Sequence, residues 1–164
     1  MKRILLTLIL SLSLSCAVIT AAWAQTHLKD LDEVRSSMAN IGSKLPGMIR
    51  SAKPEDMRTL ERLLEINNYA LMTIESYLKM LKISTISGGL NKEAIELVNR
   101  WLTFISRYCE ADIKYLEEAK NETKEKTAAD IIGQERNCIF RLKEAAKKGI
   151  TENSNLFMRA SAVQ

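Results

Sequence analysis

The chain has 164 residues, with 24 Lys and Arg against 20 Asp and Glu and a single His. Its charges are interspersed, as in Lys114, Glu117, Glu118, Lys120, Glu122, Lys124 and Glu125, the pattern of a solvated helix face rather than the basic stripe of a nucleic-acid binder. One histidine, His27, cannot support a catalytic triad, a zinc-protease motif or a His-rich metal site, and neither Cys-x-x-Cys-His nor Glu-x-x-His occurs, so no metal and no cofactor is expected.

Residues 1–24 read as a cleavable secretory signal. Lys2 and Arg3 precede the apolar run from Ile4 to Leu14, and Ala22-Trp23-Ala24 offers small residues where a signal peptidase needs them. Thr7, Ser11, Ser13 and Ser15 interrupt the longer stretch from Ile4 to Ile19, which is short for a spanning helix of about 20 apolar residues. Cys16 is poorly placed for lipidation, because Ser13 stands where a lipoprotein signal carries Leu. The reading implies a periplasmic or secreted protein, with a bacterial host favoured, and no membrane span after cleavage. Losing Lys2 and Arg3 takes the net charge from +4 to +2.

The first helix is predicted from His27 to about Ser43 on Leu28, Leu31, Val34, Met38 and Ile41. Pro46-Gly47 should end or kink it, with a kinked extension to Arg50 as the alternative. Pro54 suits the first position of a second helix, and Glu55 and Asp56 suit its positive end. Its seam is Met57, Leu60, Leu64, Asn67, Leu71, Ile74, Leu78 and Leu81, widened by Leu63, Ala70 and Tyr77, ending near Ile83. Ser84 to Leu90 reads as a loop around Gly88-Gly89, and Asn91 as the N-cap of a third helix. That helix has the seam Ile95, Val98, Leu102, Ile105, Cys109, Asp112 and Leu116, with Ile113 able to replace Asp112 inside. Asn121 to Lys126 is a polar turn, and its Asn-Glu-Thr sequon matters only in a eukaryotic secretory pathway. Thr127 is a candidate cap for a fourth helix with Ile131, Ile132, Cys138, Ile139, Leu142, Ala145 and Ala146 inward, closing at Gly149. Residues 150–164 lack periodicity and read as a flexible tail.

Four amphipathic helices with short links predict an all-α, antiparallel up-down-up-down bundle over residues 25–149. The alternative is a three-helix bundle with a long fused last helix. Cys109 and Cys138 lie equally far from the predicted turn on apolar stripes, which predicts one disulfide worth about 3–4 kcal/mol by loop closure.

Trp101, Tyr108 and Tyr115 recur every seven residues on the third helix, with Arg100 and Arg107 one position earlier. Packing beneath a neighbouring helix accounts for them simply. As an interaction surface they would serve an unknown protein partner or self-association. Asn67 and Asp112 form a polar break in the seams. A hydrogen bond from Asn67 to Tyr108 is one expectation, and a polar patch for a ligand another. No convergent catalytic set is visible. The expected function is therefore non-enzymatic protein interaction, with a carrier of a small apolar ligand in the bundle core as the alternative.

Overall fold

The computed structural model describes residues 28–86 and 92–161, the side chains at 83–86 and 155–161 excepted. The predicted export signal, Cys16, His27, the Gly88-Gly89 loop and the Asn91 cap lie outside the described residues. Among these residues the chain is all-helical: α1 covers 28–51, α2 Pro54–Ile86, α3 Lys92–Glu122 and α4 Lys126–Ser161, with no strand.

α1 buries Leu31, Val34, Met38, Ile41 and Leu45, three or four apart, against the other helices. It continues through Pro46-Gly47 to residue 51, so the longer of the two predicted versions forms. Ala52 then donates its N–H to the Ile49 carbonyl, and Lys53 accepts from Asp56 and Met57 as α2 starts at Pro54. α2 turns Leu60, Leu63, Ile66, Asn67, Ala70, Ile74, Tyr77 and Leu78 inward. This stripe is rotated from the predicted seam: Met57 is exposed, and Leu64, Leu71 and Leu81 are only partly covered.

α3 and α4 are separate helices, broken at residues 123–125, so the fused alternative does not form. The α4 cap is Glu125 rather than Thr127. Its carboxylate accepts the N–H groups of Thr127 (3.1 Å) and Ala128 (2.6 Å), satisfying two of the donors a helix start leaves open. Glu117–Arg136, Glu110–Lys143 and Asn99–Asn153 pair the two helices in opposite order along their length. Tyr69–Tyr108 and Tyr77–Trp101 do the same for α2 and α3. The four helices thus form a bundle around one core of Leu, Ile, Val, Met and Tyr77. No described helix is long and apolar enough to cross a membrane.

α4 does not stop at Gly149 but runs to Ser161, taking twelve residues of the predicted tail into helix. Gly149 is a point of close approach: a Cβ there would collide with the Tyr77 hydroxyl and press on Leu102.

The predicted disulfide is not formed, and Cys109 and Cys138 are buried free thiols. Their levels differ: Glu117–Arg136 and Glu110–Lys143 put Cys109 level with Glu144, so Cys138 stands six residues away along α4, about 9 Å at 1.5 Å per residue, and it faces another direction. α4 presents Arg136 and Lys143 to α3. Cys138 lies five residues before Lys143, which at 3.6 residues per turn places it about 140° around the helix. It sits there beside Arg141, which reaches Glu33 of α1. Burial raises the Cys109 thiol to about 12, with Asp112 adding to the shift, and the Cys138 thiol to about 11, with Glu135 adding. Such thiols are poor nucleophiles. A chain beginning at Gln25 should therefore resist alkylation when native at pH 8 and take two adducts, by intact mass, when denatured without reductant. No adduct after denaturation would mean that the bridge forms after all.

Candidate functional site

Two features stand apart from an ordinary helical core, one inside the bundle and one on its surface. The inner one joins three polar side chains. Asn67 is 0% exposed, Glu135 0% and Asp112 7%. The Asn67 amide nitrogen donates to Glu135 Oε2 (2.9 Å) on α4 and to the Met38 carbonyl (2.9 Å) on α1. Asn67 Oδ1 and Glu135 Oε1 have no partner. Gly42 makes room for this amide, because a Cβ there would lie 2.5 Å from Asn67 Oδ1.

Burial raises the Glu135 carboxyl to about 7; the Asn67 hydrogen bond opposes the shift and the Asp112 charge adds to it. Burial likewise raises Asp112 to about 6, opposed by Arg62. A proton on Glu135 would make one of its oxygens a donor, since a protonated carboxyl donates where a carboxylate only accepts. The partnerless Glu135 Oε1 and the raised pKa both fit a carboxyl that holds its proton at mildly acidic pH.

Asn67 and Asp112 are therefore buried, as the seam positions predict, and Asp112 itself faces inward without Ile113 replacing it. The expected Asn67–Tyr108 bond is absent: Asn67 turns to Glu135, and Tyr108 packs between Tyr69 and Phe104. Glu135 was not anticipated, although its position is readable. Ala128, Ile132, Ile139, Leu142 and Ala146 are buried on α4 at helical spacing, and residue 135 completes that stripe.

The outer feature lies where α2 meets α3. Tyr69 and Tyr108 rings are 4.6 Å apart and Phe104 is 6.1 Å from Tyr108. Tyr69, Met72, Thr73, Ser76, Met80 and Trp101 line an open groove beside them. Met72 is 68% exposed, Phe104 55% and Tyr69 42%, and Leu97, one heptad before Phe104, is 69% exposed. Isolated exposed apolar residues are common on soluble proteins, whereas an adjoining set marks a surface with a use.

The predicted aromatic stripe contributes to this face from below. Trp101 meets Tyr77 edge-on, with ring centroids 5.8 Å apart, and is half-buried. Tyr115 packs against the core and reaches Thr59. Tyr108 is shared between core and surface. The fully displayed residues are instead Phe104, Met72, Tyr69 and Leu97. Arg100 and Arg107 are exposed one turn to either side of Phe104. Among the described residues no ion pair involves either arginine.

Comparison with known protein families, curated proteins and solved structures finds no match. Among the described residues no three His, Cys, Asp or Glu side chains stand together as metal ligands.

Proposed function

We propose that this chain is an exported, non-enzymatic interaction protein that docks another protein on the α2–α3 face. One observation carries the reading: Tyr69 and Phe104 both pack on Tyr108 and stay exposed, with exposed Met72 lining the groove beside Tyr69. Aromatic residues, Met and Arg are the side chains enriched at protein interfaces, and this face combines all three. Export rests on the signal-like residues 1–24.

A photo-reactive side chain at position 104 tests the reading against an internal control. Phe140 is a second exposed aromatic, 46% accessible, on α4. Probes placed at 104 and 72 in the native cell envelope should give one discrete protein adduct, while a probe at 140 gives none. Phe104→Glu and Met72→Glu should abolish that adduct and leave the melting temperature nearly unchanged, because surface substitutions away from packed features shift stability by only about 0.5 kcal/mol. Equal labelling at 104 and 140, or none at 104, would overturn the proposal.

A further inference from the structure

The buried Asn67–Glu135 contact joins the two halves of the bundle. Asn67 belongs to the α1–α2 hairpin and also holds the Met38 carbonyl, whereas Glu135 belongs to the α3–α4 hairpin. Both side chains are fully buried, and Asn67 Oδ1 and Glu135 Oε1 have no partner. A carboxylate in such a place needs a cation or water beside it.

Among the described residues no cation forms an ion pair with Glu135. α1 brings the Met38 carbonyl and Gly42 to this layer, and the charged side chains of α1 are exposed. α2 brings Asn67, with exposed Arg62 held by Glu65. α3 brings Asp112, whose charge has the same sign, and Cys109 stands one turn before it. On α4 itself Cys138 follows one turn after Glu135. The remaining cations at this level are engaged: Arg136 by Glu117, Arg141 by Glu33 and Lys143 by Glu110. Lys120 reaches over Gly133, two residues before Glu135 and so on the opposite side of α4. An ionised Glu135 therefore has only water to turn to.

Water has a short way in. The turn of each hairpin lies at the same end of the bundle, and the two flank a crevice of about 450 Å³. Ala52, Lys53, Lys124 and Glu125 line it, together with the buried Leu60 and Ala128. Leu60 and Ala128 stand seven residues before Asn67 and Glu135, about 10 Å along each helix. Gly42, which lies over Asn67 Oδ1, has no side chain and is only partly buried. At the opposite end Tyr77 packs edge-on against Trp101 and over Gly149.

We propose that the Asn67–Glu135 contact is a pH-sensitive latch: it holds the two hairpins together while Glu135 is protonated, and ionisation of Glu135 admits water between them from the crevice at the turn end. The helices stay formed and the opposite end stays closed. The closed joint keeps the proton more tightly than the hydrated one, so rising pH favours opening until Glu135 is ionised in both. The latch does not depend on the docking reading above.

Hydrogen exchange of the full chain, corrected for the intrinsic effect of pH, tests it. Between pH 6 and 8.5 segments 38–45, 60–67 and 128–135 should exchange about ten-fold faster, the ratio for a carboxyl that titrates at about 7 in the closed joint and at 4.5 in water. The acceleration should barely depend on added urea, as for an opening that exposes little surface, and segments 74–78 and 142–149 should stay better protected. Glu135→Gln should remove the pH effect. Asp112→Asn, which takes a like charge away from Glu135, should make the effect level off at lower pH. Equal exchange at both pH values overturns the latch, as does an acceleration that survives in Glu135→Gln. An acceleration that steepens with urea as whole-chain unfolding does, and reaches 142–149 equally, overturns it in favour of a general loss of stability. Were Glu135→Gln not to fold, the parent and Asp112→Asn would decide, a pH dependence unchanged by Asp112→Asn overturning the latch.

Discussion

Glu135→Gln is expected to stabilise the protein at pH 8 and to flatten its stability profile between pH 4 and 8. The Glu135 carboxyl has a value of about 7 in the folded chain against an ordinary 4.5. Between those limits the folded state holds a proton that the unfolded chain has released. Stability therefore falls as pH rises from about 4.5 to about 7 and is level above that. A shift of that size corresponds to an upper bound of about 3 kcal/mol at about 1.4 kcal/mol per pKa unit. Glutamine carries no charge to desolvate, and its amide oxygen can accept from Asn67 Nδ2 as the carboxyl does. Asp112 titrates in the same direction over a lower window, from 3.8 to about 6, and its charge also raises Glu135. Asp112→Asn should accordingly move the remaining midpoint of the profile downward. Melting curves recorded at half-unit steps from pH 4 to 8 measure all three chains. A Glu135→Gln profile as steep as that of the parent would show that Glu135 is not the group responsible.

Gly149→Ala should destabilise the bundle by about 2–3 kcal/mol, although Ala is the better helix former by about 1 kcal/mol. The position is interior to α4 and buried, and the added methyl would fall on the Tyr77 hydroxyl. Tyr77 is itself 1% exposed, and burial raises its phenol far above the usual range. Because the collision is mainly with the hydroxyl, Tyr77→Phe should cost less in the Gly149→Ala background than in the parent, and a double-mutant cycle reads that coupling directly. Additive effects would mean that α4 shifts away from α2 instead. Gly42→Ala is the parallel case, with the Asn67 amide as the obstacle.

Those two glycines show where sequence reasoning succeeds and where it stops. Apolar periodicity locates all four helices and the buried positions Leu31, Val34, Met38 and Ile41 on α1 and Leu102, Ile105 and Leu116 on α3. It also singles out Asn67 and Asp112 as polar intrusions. Periodicity reports only how residues are spaced on one helix, however. Gly149 resembles a helix stop because what fills the space beside it comes from a different helix, 72 positions earlier in the chain. The same limit explains the cysteines: counting from the predicted turn puts them level, but the pairs between α3 and α4 place Cys138 six residues away from the level of Cys109. It explains the surface as well. A seven-residue repeat selects Trp101, Tyr108 and Tyr115 on one helix, whereas the exposed face is composed across two, with Tyr69 and Met72 supplied by α2.

The Asn67 hydrogen bonds tie together positions separated by 29 and 68 residues, on three different helices. An isolated α3–α4 hairpin contains Glu135 but no amide for it, and an isolated α1–α2 hairpin contains the amide but no carboxyl. Each half can satisfy its polar core residue with water until the halves meet, and only the native alignment replaces that water with protein partners. Assemblies displaced by one helical turn strand a carboxyl or an amide in a dry interior, at a cost of about 1–3 kcal/mol for each group. The core is thus selective as well as cohesive: it penalises misaligned intermediates and favours all-or-none folding of the four helices.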